Sequence, residues 1–326
     1  MANYLETLQP LIHANILTES EIYNYENDYL QQVFQRFFDF CSENLELNQA
    51  DYHITPSHFY YANNYEINAT AYQKDGRKLI AVNMGAIDKL WSFYEGKNAF
   101  FESPENEHYQ GIAEHKHISA TELLFQYTTL FFYYHEFGHL IQHNNDPNNF
   151  SLKENLIANE SAENSLQKHI FEFDADWFAA GQLAFVLVEF YKDHDGHLYT
   201  TRENLSDLIS LGLAAIFIYF VLTSDQFPQI YYQGRSHPHP YVRISYVLTF
   251  VMDTFQPNLP EGIDLNLQAI LANAVLLSEH LLATNFGNPA MTFAGVFLEE
   301  SESIEAYINA VIEASENYPE LSRNKL

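Results

Sequence analysis

The pentapeptide His135-Glu136-Phe137-Gly138-His139 interrupts a long apolar stretch, residues 120–143, whose pattern predicts a helix. At a spacing of four, both imidazoles project from one helix face about one turn apart. They can then share one Zn2+ through ring nitrogens at about 2.0–2.1 Å. Glu136, beside the first histidine, can reach water at the metal; this is the H-E-x-x-H pattern of zinc hydrolases. At this chain's histidine and glutamate content, chance supplies about 0.06 such patterns. The competing reading is a helix with two partly buried histidines and an ion-paired glutamate.

Catalytic zinc takes three protein ligands and keeps one position open, so two histidines are not enough. The metzincin pattern would need glycine at 142 and histidine at 145, where this chain has Gln142 and Asn145. His143 is one turn beyond His139, and a straight helix carries it away from the metal; it reads as a helix C-terminal histidine. The better candidates lie on the next long helix, which should start near Asn159 or Ser165 and run to Tyr191. There Glu172 and Asp176 share a face within Phe171-Glu172-Phe173-Asp174-Ala175-Asp176-Trp177-Phe178. Glu172 can complete a His2Glu site, and Asp176 can accept the outer N–H of a zinc histidine. Acids set among so many aromatic residues point to a partly buried site. Glu160 is the rival third ligand, although Asn164 stands where its partner acid should be.

Upstream, residues 66–72 and 78–83 read as two strands joined by the Asp75-Gly76 turn. Residues 1–57 read as helical and residues 96–118 as loop. Residues 228–240 form a connection rich in proline and histidine, containing Ser236-His237-Pro238 and followed by Arg243-Ile244. His237 and Arg243 could stand beside the metal and donate to an oxyanion. Residues 265–285 and 300–317 read as further helices. The run Leu208–Ser224 carries no charge. A spanning helix needs about 20 apolar residues and usually has basic flanks. Here Asp207 and Asp225 flank a shorter run, which predicts a buried core helix.

Composition sets the frame. The chain has 326 residues, 47% hydrophobic and 18% charged, which supplies a large core and argues against disorder. A formal charge of -28 repels phosphate, so neither nucleic acid nor an anionic membrane is an expected partner. Cys41 is the only cysteine, so no intrachain disulfide can form and any metal falls to histidines and carboxylates. The opening residues show no secretory pattern, which makes the cytoplasm the expected compartment.

Four segments resemble, in order, the gluzincin peptidases of the CAAX prenyl endopeptidase and heat-shock membrane peptidase type. They are Asn68-Ala69-Thr70-Ala71, His135 to His139, Glu172 to Ala179, and Ser236-His237-Pro238 with Arg243-Ile244. The resemblance covers residues 58–250 and implies a zincin-like core, α+β and predominantly helical, with a small sheet and an active-site helix pair. Residues 1–57 and 251–326 would be flanking helical regions. It implies one Zn2+ per chain on His135, His139 and Glu172, with Glu136 as acid/base and Asp176 supporting a ligand. His237 and Arg243 would line the reaction centre. The Asn68-Ala69 strand would flank the cleft and help bind a protein or peptide substrate. The membrane members of that family have several clear spans, so prenylated substrates are not carried over. Alternatives are a catalytically silent member acting as a binding or regulatory protein, a soluble relative of the phage-exclusion type acting on a host protein, or an all-helical interaction or membrane-associated protein with a fortuitous motif.

Overall fold

Apolar residues at helical spacing dominate the chain, and the computed structural model is accordingly α+β and mostly helical. It describes residues 4–114, 117–145, 150–153, 162–192, 202–224, 229–259, 263–286 and 293–325. Helices α1 (Tyr4–His13) and α2 (Gln31–Asn48) come first, then strands β1 (Ser57–Ala62), β2 (Ala69–Lys74) and β3 (Arg77–Asn83). Helices α3 (Met84–Glu95), α4 (Asn98–Phe101), α5 (Glu107–Glu114) and α6 (Ala120–Gln142) follow. After the short strand β4 (Phe150–Lys153) come α7 (Ala162–Lys192), α8 (Arg202–Thr223), α9 (Pro240–Phe255), α10 (Leu267–Phe286), α11 (Phe293–Glu299) and α12 (Ser301–Ser315). A 3-10 turn, Ser322–Asn324, closes the described chain.

The sheet has the order β1-β3-β2-β4, with β1 parallel to β3 and the other pairs antiparallel. Asp75 and Gly76 both have positive φ, 48° and 75°. That is the left-handed two-residue turn whose twist suits a hairpin, and it joins β2 to β3 as an antiparallel pair with Lys74 opposite Arg77. Helix α6 packs on β2 and β3, and α2 packs on β1. Gly85 allows the chain to cross tightly, because a Cβ there would stand 2.3 Å from the Tyr65 carbonyl carbon.

Helix α6 starts with a serine N-cap: the Ser119 hydroxyl accepts from the Glu122 N–H at 3.1 Å. Its closest partner is α7. Gly138 faces Ala175, where an added Cβ would lie 3.1 Å from the Ala175 Cα, so two small residues bring the helix axes together beside the histidines. Helix α8 is buried continuously from Leu208 to Val221 and packs on α6, α9 and α10. Among the described residues it alone is long and apolar enough to cross a membrane, and here it forms part of the protein core.

Several expectations need correction. Residues 4–57 contain two helices separated by irregular chain over residues 14–30, not one helical region. Residues 96–118 contain α4 and α5. Strand β1 and helix α9 occupy stretches to which no element had been assigned, each overlapping the preceding region by one residue, Ser57 and Pro240. Strand β2 is an inner strand, paired on both sides over Thr70–Gln73, so its backbone there cannot take up a substrate; on that side β4 is outermost.

Candidate metal centre

The α6–α7 contact brings three donors together. His135 Nε2 lies 3.1 Å from His139 Nε2 and 3.3 Å from Glu172 Oε2, and His139 Nε2 lies 3.4 Å from Glu172 Oε1. A tetrahedral zinc with 2.0–2.1 Å bonds would have neighbouring donors about 3.3–3.4 Å apart. The spacing therefore fits, and the three residues form a buried group able to hold a metal ion. They are 0%, 2% and 8% exposed in the order His135, His139, Glu172.

The tautomers fit as well. His135 Nδ1 donates to Asp176 Oδ1 at 2.8 Å, and His139 Nδ1 donates to Gln142 Oε1 at 2.8 Å. With both Nδ1 atoms carrying the hydrogen, both Nε2 atoms present lone pairs. Two lone pairs 3.1 Å apart beside a carboxylate repel one another unless a cation stands among them. The local field favours positive charge at this position, whether a proton or a metal ion. Burial opposes a charge on His135, but the Asp176 and Glu172 carboxylates outweigh it and hold the imidazole pKa well above its ordinary value. Burial likewise opposes ionised Glu172, yet the imidazoles of His237, His135 and His139 keep its pKa well below the usual carboxylate range.

Asp176 is the hub behind His135. It is fully buried, takes a bidentate pair from Arg243 (Nε to Oδ2, 2.8 Å; Nη2 to Oδ1, 2.7 Å) and accepts the Tyr246 hydroxyl at 2.6 Å. Burial raises its pKa, but Arg243 and His135 bring it down to about 2. The Arg243 guanidinium also lies 3.9 Å over the Phe220 ring and 4.0 Å from Glu172 Oε2. Arg243 thus sits behind the donors, braced on Asp176.

His237 does face the centre, with Nε2 3.3 Å from Glu172 Oε2 and Nδ1 2.9 Å from Ser236 Oγ. Burial and the neighbouring Arg243 bring its pKa down to about 4, against the opposing pull of Glu172. Its loop is pinned by buried His169, whose ring contacts the Arg235 carbonyl at 3.0 Å and the Tyr307 hydroxyl at 2.6 Å. Glu136 is buried beside His135, 1% exposed.

Other expected residues fall elsewhere. His143 is the C-cap of α6 and stacks on Phe171, outside the metal group. Asn68 begins the β2 hairpin: its carbonyl accepts from Asn83 and its side chain from the Ala69 N–H. Asn68 and Ala69 therefore act in the hairpin itself. Glu160 lies outside the described residues. Sequence reasoning missed Gln142, Asp174, Tyr246 and His169. Gln142 and Tyr246 had a readable signal, since each lies three residues along a helix from a candidate (His139 and Arg243) and so shares its face.

The chain matches no protein-family model, no curated protein and no solved structure.

Proposed function

We propose that the protein is a zinc-dependent endopeptidase with a zincin-like core, cutting peptide bonds in a protein or peptide substrate. The observation that carries this reading is the convergence of two histidine Nε2 atoms and a carboxylate at tetrahedral spacing, with Glu136 next in sequence to one of them. His135, His139 and Glu172 would hold one Zn2+. When bound, the ion would acidify water and polarise a carbonyl as a Lewis acid.

The remaining steps belong to the chain. Glu136 takes the proton of the attacking water on its carboxylate and returns it to the leaving amine. His237, neutral at ordinary pH, accepts from the Ser236 hydroxyl at Nδ1 and so keeps a hydrogen at Nε2 to donate to the developing oxyanion. Asp176 keeps the His135 hydrogen on Nδ1, and Arg243 keeps Asp176 ionised. An extended substrate pairs at β4, the edge strand beyond β2, rather than along the Asn68 strand.

Glu136→Gln tests the assignment. The variant should keep its zinc and lose about 10²-fold or more of the hydrolysis of a labelled unfolded protein. Wild-type turnover in that variant would remove Glu136 from the mechanism.

A further inference from the structure

Behind His139 there is a second support that the peptidase reading does not use. Gln142 Oε1 faces His139 Nδ1, while Gln142 Nε2 lies 2.8 Å from both the Phe171 carbonyl and Asp174 Oδ2. Both of those are acceptors, so the amide hydrogens must point at them and the amide oxygen at His139. That orientation requires a hydrogen on His139 Nδ1 and leaves Nε2 bare toward the metal position. The amide therefore selects the tautomer.

Asp174, in turn, is held from far along the chain. It is fully buried, its Oδ2 accepts the Ser322 N–H at 2.6 Å, and its Oδ1 accepts the Arg323 N–H at 3.3 Å. The same segment grips α6 where Gln142 sits. Lys325 Nζ donates to the carbonyls of Ile141 (3.0 Å) and Gln142 (2.7 Å) and to Asn144 Oδ1 (2.9 Å). These are carbonyls that the end of a helix leaves without an intrahelical partner. Leu321, fully buried, anchors the segment in the core, and Arg323 ties it to Ser315 on α12.

We propose that Gln142 is a positioning residue that sets the tautomer of His139, and that Leu321–Lys325 is a strap that holds it there through Asp174. The inference rests on the metal reading above. With the strap in place, the Gln142 amide has one orientation. Without the two backbone donors, Asp174 no longer stands where it fixes the amide. A flipped amide turns an N–H toward Nδ1, favours hydrogen on Nε2, and aims that hydrogen at the metal.

The test uses the full chain with two readouts: zinc affinity by competition with a chromogenic chelator, and the His139 tautomer from imidazole 15N shifts in zinc-free protein. The His139 signals are identified by their loss in His139→Gln. Gln142→Leu removes the acceptor. Ser322→Pro removes one strap donor with little strain, because residue 322 is the first of the 3-10 turn and Leu321 already has ψ 147°, as a residue before proline prefers. Both variants should bind zinc about 10–100-fold more weakly and shift His139 toward the Nε2–H form, with His135 unchanged. A merely structural strap would lower stability without moving the tautomer. If both variants fold and keep wild-type affinity and the Nδ1–H form, the strap inference is overturned and the metal site stands. If the wild type takes up no zinc, the metal reading and the strap inference are overturned together.

Discussion

The two histidines of the centre are held in opposite ways. Behind His135 stands an ion network: Asp176, fully buried, is neutralised by the bidentate Arg243 and by Tyr246. Behind His139 stands an amide, Gln142, backed by Asp174, which accepts from backbone N–H groups rather than from a guanidinium. Asp174 and Asp176 are two residues apart on one helix, both without exposed surface, yet they face different partners. An ion network is energetically stiff, because removing one member leaves a bare buried charge. An amide that donates to a carbonyl and to a carboxylate held by backbone N–H groups is softer, and its failure changes orientation more than stability.

The largest break in this contrast is Arg243→Leu. It strands the Asp176 carboxylate and should cost about 3–5 kcal/mol in unfolding free energy. Asp174→Asn, on the other side, exchanges hydrogen bonds and should cost about 1–3 kcal/mol. Equal losses in denaturant titration would mean that the two supports are not different in kind.

Next in size is metal affinity. Asp176→Asn and Gln142→Leu should each weaken zinc about 10–100-fold, with Asp176→Asn at the upper end because it also leaves Arg243 uncompensated. Chelator competition that ranks them the other way would place the greater support at His139.

A contrast read in pH dependence concerns His239, a buried histidine outside the metal group. There burial brings the pKa down from 6.5 to about 3, whereas the carboxylates around His135 hold that imidazole up. Below pH 6.5 the unfolded chain binds a proton at residue 239 that the folded protein refuses. Its contribution is therefore fully present above that pH and is lost toward pH 3, at up to about 1.4 kcal/mol per pH unit. The neutral ring also accepts the Tyr241 N–H as the N-cap of α9. His239→Gln should flatten the stability slope between pH 6.5 and 4, and an unchanged slope would show that another group governs acid sensitivity.

What the sequence made legible follows from local periodicity. Helices α6, α7 and α8 are long and strongly apolar, and the β2–β3 hairpin is marked by Asp75-Gly76. The donors His135, His139 and Glu172, and the contact of Asp176 with His135, follow from which helix face each residue occupies. Strand β1 was hidden because all six of its residues are buried or partly buried, so its aromatic run shows no alternation. The start of α9 was hidden by its prolines, although Pro240 at the first helical position is a start signal. The Asp174–Ser322 bond joins residues 148 apart, and no local pattern encodes such a pair. Arg243 was expected at the reacting atoms; its distance to Asp176, and not to a substrate, is a tertiary fact.

The measurement that bears most directly on the central claim is the zinc content of the purified protein, wild type against Glu172→Ala. The account predicts about one zinc per wild-type chain and loss or severe weakening in the variant. Full retention in Glu172→Ala, or a wild type that takes up no zinc even when the metal is supplied, would contradict it.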